Sequence, residues 1–519
     1  MSTLVLVRSG CYQDSARLMQ VSRELAALPG VSEAVAMMGT ETNRRLLADA
    51  GFPEAELGRA TPLDMVVAIR AESPEALGSV QTLLEGLLEG RGGKGQAAGG
   101  AATRGERPGT VSEALEAHPD ANLVSVAVPG PYAAFVAQRA LDAGRSVFLF
   151  SDNVPLVDEV ALKRRAAGLG LLVMGPDCGT AILSGVGLGF ANRVDRGPVG
   201  IVGASGTGIQ ELSCLLDRRG VGISHAIGTG SRDLSEAVDG AMTETGLALL
   251  ACDPETKCVL LVAKHPAQSV ARRLHGVLAR LGKPVAVRYL GESARDAVGG
   301  VGGVFYAGSL DEAAEAAARW AGAEISPAVA APVEPEERGE TDPASGESRL
   351  VGLFGGGSLA AEARCVLAAH GVETVVPAEK LSAHVPLPPG NLVVDTGDDA
   401  YTVGRPHPMV DQTVRCELIR AAGADLSVRV LLLDLVLGDG AHPDPAPELV
   451  RSVVEARSAR AGRPLAVVVS VCGSRRDPQG TGRQEEALRH AGIHVESSAA
   501  LAAGKAAALL PLVREEVAR

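Results

Sequence analysis

The fold is decided by the stretch Gly200-Ile-Val-Gly-Ala-Ser-Gly-Thr-Gly-Ile-Gln-Glu211, in which an apolar strand runs through a glycine-rich turn directly into a helix. The first backbone N–H groups of a helix have no partner inside it, and the positive end of the helix dipole points the same way, so phosphate or another anion suits this position. Ser205, Gly206, Thr207 and Gly208 lie at this helix start and are the predicted phosphate-binding residues. Taken alone, the pattern fits a plain strand-to-helix turn equally well.

A second stretch of the same design begins at Leu350, where an apolar run leads through Gly355 into Gly356, Gly357 and Ser358 and then into an amphipathic helix. One helix start offers an anion about 0.3–1 kcal/mol, and up to ~2 kcal/mol in a partly buried site. Two such starts that converge could hold a reactive phosphate. The repetition favours an anion site and adds Gly356, Gly357 and Ser358 to the predicted phosphate-binding residues. It leaves open whether the two loops face each other.

Composition limits the class of protein. The 519 residues are enough for roughly three or four domains, and the net charge of −13 argues against nucleic acid or an anionic membrane as the main partner. No apolar run approaches the ~18 residues of a membrane span, and the opening apolar run is too short for a signal peptide. The eight cysteines are scattered without a metal-ligand spacing. We therefore expect a cytoplasmic protein with reduced thiols and no metal site.

Two further turns follow strand ends, where open α/β sheets place ligands. Gly175, Pro176 and Asp177 form the first turn, Arg232 lies in the second, and all four are predicted to bind substrate. A structural role is the main alternative in both turns. Asp177 is also typical of a simple turn, and Arg232 fits a solvated surface charge.

The best candidates for catalysis, Arg405 and His407, lie in an irregular loop of the last third of the chain. An arginine can bind a carboxylate or a phosphate through its fork, and a histidine can transfer a proton. The alternative is a surface loop braced by pairing of Arg405 with an aspartate. Asp398 and Asp399 have the chemistry to bind Mg²⁺, but loop capping or ion pairing explains them better, so no metal ligand is predicted.

The chain also resembles known families along its length. From about Asn122 to Trp320 it resembles the α subunit of succinyl-CoA synthetase, and from Leu350 onward it is similar to the C-terminal domain of the β subunit of that enzyme. The stretches that carry these likenesses are Val128-Pro-Gly-Pro-Tyr-Ala-Ala134, Met174-Gly-Pro-Asp-Cys178, Gly200–Thr207, Gly355-Gly-Gly-Ser-Leu-Ala360 and Val430-Leu-Leu-Leu-Asp434. The chain as a whole resembles the FdrA family, and its distinctive stretches are Cys11-Tyr-Gln-Asp-Ser15, Val173–Thr180, Gly203–Glu211 and Tyr401–Met409.

The alternation of strands and helices, together with this resemblance, predicts an α/β protein with parallel sheets covered on both faces. It would contain a Rossmann-like CoA-binding-type domain plus two flavodoxin-like CoA-ligase-type domains, with a small N-terminal domain that is either a plain α/β domain or ferredoxin-like. The predicted segments are the N-terminal domain at 1–90, a Gly-rich linker at 91–109, the Rossmann-like domain at 110–196, the first ligase-type domain at 197–321, a disordered Pro-rich acidic linker at 322–348 and the second ligase-type domain at 349–519.

Three departures from the synthetases bear on function. The synthetases carry a phosphorylated histidine in a loop that corresponds to Leu290–Gly300, and this chain has no histidine between His275 and His370. The ATP-grasp domain of the β subunit has no counterpart, and no match to the glycine loop that holds the CoA phosphates precedes Asn122. The ordinary ATP-dependent ligase cycle is therefore not expected of this chain alone, and no cofactor is firmly predicted, CoA included.

The FdrA resemblance implies carbamoyl transfer between oxamate or oxalurate and phosphate in purine and allantoin breakdown, with phosphate or carbamoyl phosphate as substrate. Such chemistry needs anion binding and electrostatic stabilisation, but neither a nucleotide nor a phosphohistidine. The resemblance also implies two kinds of partner, a small anionic substrate and other subunits of a hetero-oligomeric complex. Two alternatives stay open: an acyl-CoA synthetase subunit whose nucleotide and histidine functions lie on a partner, and a non-catalytic assembly subunit.

Overall fold

The computed structural model describes residues 2–11, 13, 15–26, 28–88, 108–264, 266–291, 303–324, 348–402 and 405–510. The chain divides into two compact units, Met1–Ala117 with Gly404–Pro406 and His118–Val403 with His407–Arg519. The two predicted linkers lie almost entirely outside the described residues. No helix in the described part of the chain is long and apolar enough to cross a membrane.

The first unit contains a small antiparallel sheet with β1 (Ser2–Arg8), β2 (Val31–Met38) and β3 (Met65–Ala71) in the order β1-β3-β2. The central strand β3 is apolar and nearly all buried, because it has a neighbour on each side. Its helices are α1 (Ser15–Ala26), α2 (Glu41–Asp49), α3 (Glu54–Leu57), α4 (Pro74–Leu88) and α5 (Val111–Ala117). The small N-terminal α/β domain is thus confirmed, whereas the sequence patterns did not predict α3 and α5.

The second unit begins with a short Rossmann-like sheet whose described strands are parallel and follow the order β4-β5-β6. Its elements are β4 (Leu123–Val126), α6 (Gly130–Asp142), β5 (Ser146–Leu149), α7 (Leu156–Leu169) and β6 (Val173–Met174). The turn Gly175–Asp177 follows β6, as predicted from the end of a parallel strand.

The first ligase-type domain has the flavodoxin-like strand order. Its elements are β7 (Thr180–Leu183), β8 (Val186–Gly189), β9 (Arg196–Ala204), α8 (Gly206–Arg218), β10 (Ile223–Gly228), α9 (Ala241–Cys252), β11 (Cys258–Lys264), α10 (Gln268–Leu278), β12 (Val285–Leu290), β13 (Val304–Tyr306) and α11 (Leu310–Trp320). The parallel strands follow the order β10-β9-β11-β12-β13, which is the 2-1-3-4-5 order of flavodoxin. The hairpin β7–β8 pairs antiparallel with β10, so residues 180–189 join this sheet and not the Rossmann-like segment 110–196 to which the sequence assigned them.

The second ligase-type domain repeats the same order in an all-parallel sheet, β15-β14-β16-β17-β18. Its elements are β14 (Arg349–Phe354), α12 (Gly357–Ala369), β15 (Leu392–Asp395), α13 (Asp399–Thr402), α14 (Thr413–Ala424), β16 (Val428–Val436), α15 (Ala446–Ser458), β17 (Ala466–Cys472), α16 (Thr481–His490), β18 (His494–Glu496) and α17 (Ala499–Leu509). The residues of β16 are all buried, as expected for a central strand covered on both faces. The predicted fold class is confirmed.

The two ligase-type domains pack directly against each other through polar and apolar contacts. The Asn192 amide donates to Leu437 O at 3.0 Å and to Asp477 Oδ2 at 2.7 Å. On the other side of the interface, Arg288 of β12 and Glu362 of α12 form a buried ion pair. This interface fixes α8 and α12 relative to each other, and with them the two glycine loops.

Glu211 of α8 lies fully buried in the same interface and accepts a hydrogen bond from Ala499 N at 2.8 Å. Burial raises the pKa of Glu211 to about 8. The folded protein therefore holds a proton on Glu211 that the unfolded chain releases at lower pH, so this group makes stability fall as pH rises from about 4.5 towards about 8.

We expect Glu211→Gln to remove this loss of stability, which can reach about 1.4 kcal/mol per pH unit within that window. Glutamine has the shape of the protonated acid and keeps an acceptor for Ala499 N. Denaturant midpoints between pH 5 and pH 9 should converge for wild type and variant at low pH and separate at high pH, with the variant the more stable. The exposed Glu236→Gln is the control and should follow wild type. Parallel pH profiles for wild type and Glu211→Gln would contradict the assignment.

Candidate active site between two helix starts

The two glycine loops face each other across the interface of the ligase-type domains. Ser205 Oγ and Ser358 Oγ lie 2.5 Å apart, and Ser358 N donates to Thr207 Oγ1 at 3.3 Å. Both serines are buried. The sequence left the relative placement of the loops open, and the structure brings the starts of α8 and α12 together.

The first loop is shaped by its own side chains. Ser205 is the N-cap of α8, and its hydroxyl accepts from Gly208 N at 3.1 Å. A Cβ at Gly208 would lie 2.3 Å from Ser205 Oγ, so this cap needs glycine at that position. The backbone N–H groups of Gly206 and Thr207 make no hydrogen bond to the described residues and remain as donors at the helix start.

The second loop is held differently. The Asp434 carboxylate accepts from Gly355 N at 2.7 Å and from Gly356 N at 2.8 Å, and Arg415 pairs with Asp434 at 2.8 Å. Two of the loop's N–H groups are therefore used inside the protein. The Gly357 N–H, the first of α12, has no acceptor among the described residues.

A lysine and a carboxylate meet at this start of α12. Lys264 ends β11 and Asp395 ends β15, so each lies at the carboxyl edge of its sheet. A Cβ at Gly357 would lie 2.0 Å from Asp395 Oδ2 and 2.7 Å from Lys264 Nζ. In the described part of the chain, Lys264 has no ion pair, which leaves its ammonium group available to an anion.

Asp395 is the carboxyl group nearest to this helix start. Burial raises the pKa of Asp395 to about 6, although Lys264 and the hydrogen bond from Gly397 N at 2.9 Å both lower it. Two like charges about 4 Å apart repel by roughly 4 kcal/mol at an effective dielectric constant of about 20. An ionised Asp395 would therefore oppose a second anion at the same place, and a protonated one would not.

His407 lies beside the same residues. Its Nδ1 accepts from Met409 N at 3.2 Å, which leaves the proton of the neutral ring on Nε2. Burial lowers the pKa of His407 to about 4, so the ring is neutral at physiological pH. Nε2 lies close to Gly397, since a Cβ on that glycine would lie 2.6 Å from Nε2. The His407 ring packs near the Phe190 ring, with the two centroids 6.3 Å apart. His407 thus offers an N–H donor rather than a charge.

Arg405 has a different position from His407. Its side chain is exposed, it groups with the first unit, and no ion pair of Arg405 is found among the described residues. The alternative interpretation, bracing by an aspartate, has no ion pair to support it in that part of the chain, and a catalytic role for Arg405 stays a prediction. Asp398 and Asp399 are exposed, and Asp398 accepts from Ala400 N at 2.9 Å, which is the loop-capping role favoured by the sequence.

The turn at Gly175–Asp177 contributes one carboxylate to the surroundings of Lys264. Asp177 is exposed as a residue, yet burial around its carboxyl group raises the pKa of that group. The Ser231 hydroxyl, which donates to Asp177 at 3.0 Å, and the Lys264 charge both lower this pKa. Gly175 has a φ of 117°, and a Cβ on this residue would lie 2.1 Å from Leu149 O. Substrate binding by this turn stays a prediction.

Arg232 is engaged within the protein. Its Nε pairs with Glu159 at 2.8 Å and its Nη2 donates to Val154 O at 2.8 Å. Glu159 also pairs with the buried Lys163, which in turn pairs with Asp233. This network favours a bracing role for Arg232 over the predicted substrate contact. The alternative, a free solvated surface charge, is wrong because Arg232 is paired within the protein.

Sequence reasoning missed Lys264, Asp395 and Asp434 as site residues. The signal that could have identified them is their position, because each lies in a parallel strand close to its carboxyl end. In the sheet order, β11 is the direct neighbour of β9, and β15 and β16 are the direct neighbours of β14, so all three strands lie beside a strand that enters a glycine loop.

Comparison with known proteins agrees with this architecture. The family model for CoA-ligase matches residues 353–509, and the model for the heavy metal-associated domain of AllF matches residues 1–105. The uncharacterized protein YahF of Escherichia coli K12 is 35% identical over 510 residues, which cover 96% of each chain. The chain belongs to the CoA-ligase-like family of YahF.

More distant similarities cover parts of this YahF-family chain. Subunit alpha 2 of the ADP-forming succinate–CoA ligase of Archaeoglobus fulgidus is 30% identical over 199 residues, 38% of this chain and 63% of that subunit. The apo form of the dinucleotide-forming acetyl-coenzyme A synthetase 1 of Candidatus Korarchaeum cryptofilum has 18% identity and a TM-score of 0.31, with 75% of this chain and 82% of that one covered.

The residues of the first domain do not fit a heavy-metal site. Soft metals take thiolate ligands, and residues 1–105 contain one cysteine, Cys11. The nearby Asp64 carboxylate accepts from Gly10 N at 2.8 Å and from Thr61 N at 2.7 Å, so it serves the loop backbone. Among the described residues, no group of three or more His, Cys, Asp or Glu is placed to hold a metal ion.

Proposed function

We propose that this chain is the phosphate-binding subunit of an enzyme that transfers a carbamoyl group between oxalurate and phosphate, with oxamate and carbamoyl phosphate as the products. The observation that carries the proposal is the pair of facing helix starts with Lys264 beside them. The chain has no histidine between His275 and His370, so the segment that corresponds to the phosphohistidine loop of the synthetases lacks that residue. A phosphate that arrives as substrate, or as part of one, fits the same donors.

The residues around the helix starts support specific roles. The N–H groups of Gly206, Thr207 and Gly357 and the Lys264 ammonium would hold the phosphate oxygens. The attacking phosphate oxygen forms a bond to the carbamoyl carbon while the bond from that carbon to the oxamate nitrogen breaks. The neutral His407 would donate its Nε2–H to the oxygen that gains charge on that carbon.

An acyl-CoA synthetase subunit is the second candidate, because the relatives include a subunit of an ADP-forming succinate–CoA ligase. One observation weighs against it. In residues 108–122, which immediately precede β4, the chain forms the helix α5 and no strand that could lead into a glycine turn for the CoA phosphates. Calorimetric titration with CoA separates the two candidates: stoichiometric binding would favour the synthetase, and its absence the carbamoyl transfer.

We expect the purified complex of this chain with its co-purifying subunits to form carbamoyl phosphate from oxalurate only when phosphate is present. The double variant Thr207→Val/Ser358→Ala removes both hydrogen bonds that join the two loops, Ser205 Oγ to Ser358 Oγ and Ser358 N to Thr207 Oγ1. It should lower this turnover by about tenfold, because a hydrogen bond contributes about 0.5–1.5 kcal/mol and both helix starts lose their fixed alignment on the phosphate. The control is Thr245→Val on α9, whose hydroxyl donates to Ala241 O within its own helix.

Two results would count against the proposal. If the complex makes no carbamoyl phosphate from oxalurate, carbamoyl transfer should be abandoned. If it does and the double variant is as active as the Thr245→Val control, the reaction does not take place between the two helix starts, and this chain serves as an assembly subunit.

A further inference from the structure

The Asp395 carboxyl group lies where an anion bound to the start of α12 would lie. Asp395 Oδ2 and Lys264 Nζ both approach Gly357: a Cβ on this glycine would lie 2.0 Å from Oδ2 and 2.7 Å from Nζ. Its other oxygen is held by Gly397 N at 2.9 Å, so the group is aimed at the helix start by its own loop. A bound phosphate would share the same donors with this carboxyl group.

We propose that Asp395 takes up one proton when an anion binds between the helix starts, and that it delivers this proton to the leaving nitrogen during group transfer. The inference rests on the proposed function, since it assigns a residue and a proton to that same anion site. It adds Asp395 as a catalytic residue that neither the sequence patterns nor the comparisons identify.

The charges around Asp395 favour its neutral form once a second anion arrives. Asp434 of β16 and Asp398 of its own loop repel its negative charge, whereas Lys264 of β11 and Arg364 of α12 attract it. His407 is neutral and Tyr401 is a phenol, so neither compensates. A bound phosphate or sulfate would compete for Lys264 and add its own charge, which leaves protonation of Asp395 as the way to relieve the repulsion.

The transfer step balances with this proton. A phosphate oxygen bonds to the carbamoyl carbon of oxalurate, and the bond from that carbon to the oxamate nitrogen breaks with its electron pair on nitrogen. The proton on Asp395 goes to that nitrogen, and the proton of the attacking hydrogen phosphate returns to Asp395. The products are carbamoyl phosphate and oxamate, and no other reactant is needed.

The test is calorimetric titration of the full chain with sulfate, an anion that does not itself titrate near neutral pH. Titrations in two buffers of different ionisation enthalpy give the number of protons taken up for each sulfate bound. We expect close to one proton at pH 7 and close to none at pH 5, where Asp395 is already protonated. Asp395→Asn should take up none at either pH, and should bind sulfate at pH 7 about tenfold more tightly than wild type does.

The control is Asp398→Asn, which removes a carboxylate of the same loop and should keep the proton uptake. If Asp395→Asn still takes up a proton at pH 7, or if wild type binds sulfate there without proton uptake, the role of Asp395 is refuted while the anion site stands. If wild type and Lys264→Met bind sulfate equally weakly, the anion site and the proposed function fail together. If Asp395→Asn does not fold, wild type that binds sulfate at pH 7 without taking up a proton still overturns the role of Asp395.

Discussion

Replacing Lys264 with methionine is expected to weaken the binding of phosphate or sulfate by about 10- to 100-fold, since a charge-assisted hydrogen bond contributes about 1.5–3 kcal/mol. Lys264 ends β11 beside the first N–H of α12 and has no ion pair in the described part of the chain, so its charge is available to the ligand. Methionine keeps the length of the side chain and removes only the ammonium group. Dissociation constants from calorimetry measure the effect directly.

Lys257→Met is the matched control for this experiment. Lys257 is an exposed lysine that immediately precedes β11, so it lies at the opposite end of the strand from Lys264, roughly 20 Å away. Its replacement removes the same charge from the protein and should leave the affinity within about twofold of wild type. Equal losses in the two variants would show that the affinity reflects the net charge of the protein, and that Lys264 does not contact the anion.

Much of the fold could be predicted from the chain because its signals are local. The apolar strand, glycine turn and helix that begin at Gly200 and again at Leu350 end at Arg218 and Ala369, and both form as expected. Ser205 was expected at the helix start, and it caps α8. Near-continuous apolar strands indicated parallel sheets covered on both faces, which both ligase-type domains have.

The hairpin β7–β8 could not be predicted in the same way. Its strands are short, and β8 is mostly exposed, so neither carries a clear hydrophobic pattern. What holds β7 in place is pairing with β10, about forty residues further along the chain. A sequence pattern reports local preference, and it contains no information about a partner at that distance.

The candidate site shows the same limit. Lys264 and Asp395 are separated by 131 positions in the chain and meet because two sheets present their carboxyl edges to each other. His407 belongs to the unit that holds this cluster, whereas Arg405 groups with the other unit, so its catalytic role stays a prediction. Spacing along the sequence identifies residues of suitable chemistry, whereas the packing of the two domains determines which of them meet.

Breaking the buried ion pair between the ligase-type domains is expected to cost the most stability. Arg288 Nε donates to Glu362 Oε2 at 2.9 Å, Leu310 N donates to Glu362 Oε1 at 2.7 Å, and both charged side chains are almost wholly buried. Glu362→Gln keeps the shape and the acceptor oxygen but leaves the Arg288 charge buried without a counter-charge. Removal of one partner of a buried pair costs about 3–5 kcal/mol, which denaturant unfolding would measure.

Two controls separate charge from shape in this interface. The exposed pair Arg319–Glu315 on α11 is the reference, and Glu315→Gln should cost less than about 1 kcal/mol. Arg288→Met/Glu362→Leu removes both charges and should recover most of the stability lost in Glu362→Gln, because an apolar replacement of a buried pair is often neutral. A double variant as unstable as the single one would mean that the geometry of the pair, and not its charge balance, holds α12 against β12. In that case the alignment of the two helix starts depends on this contact, and sulfate affinity should fall together with stability.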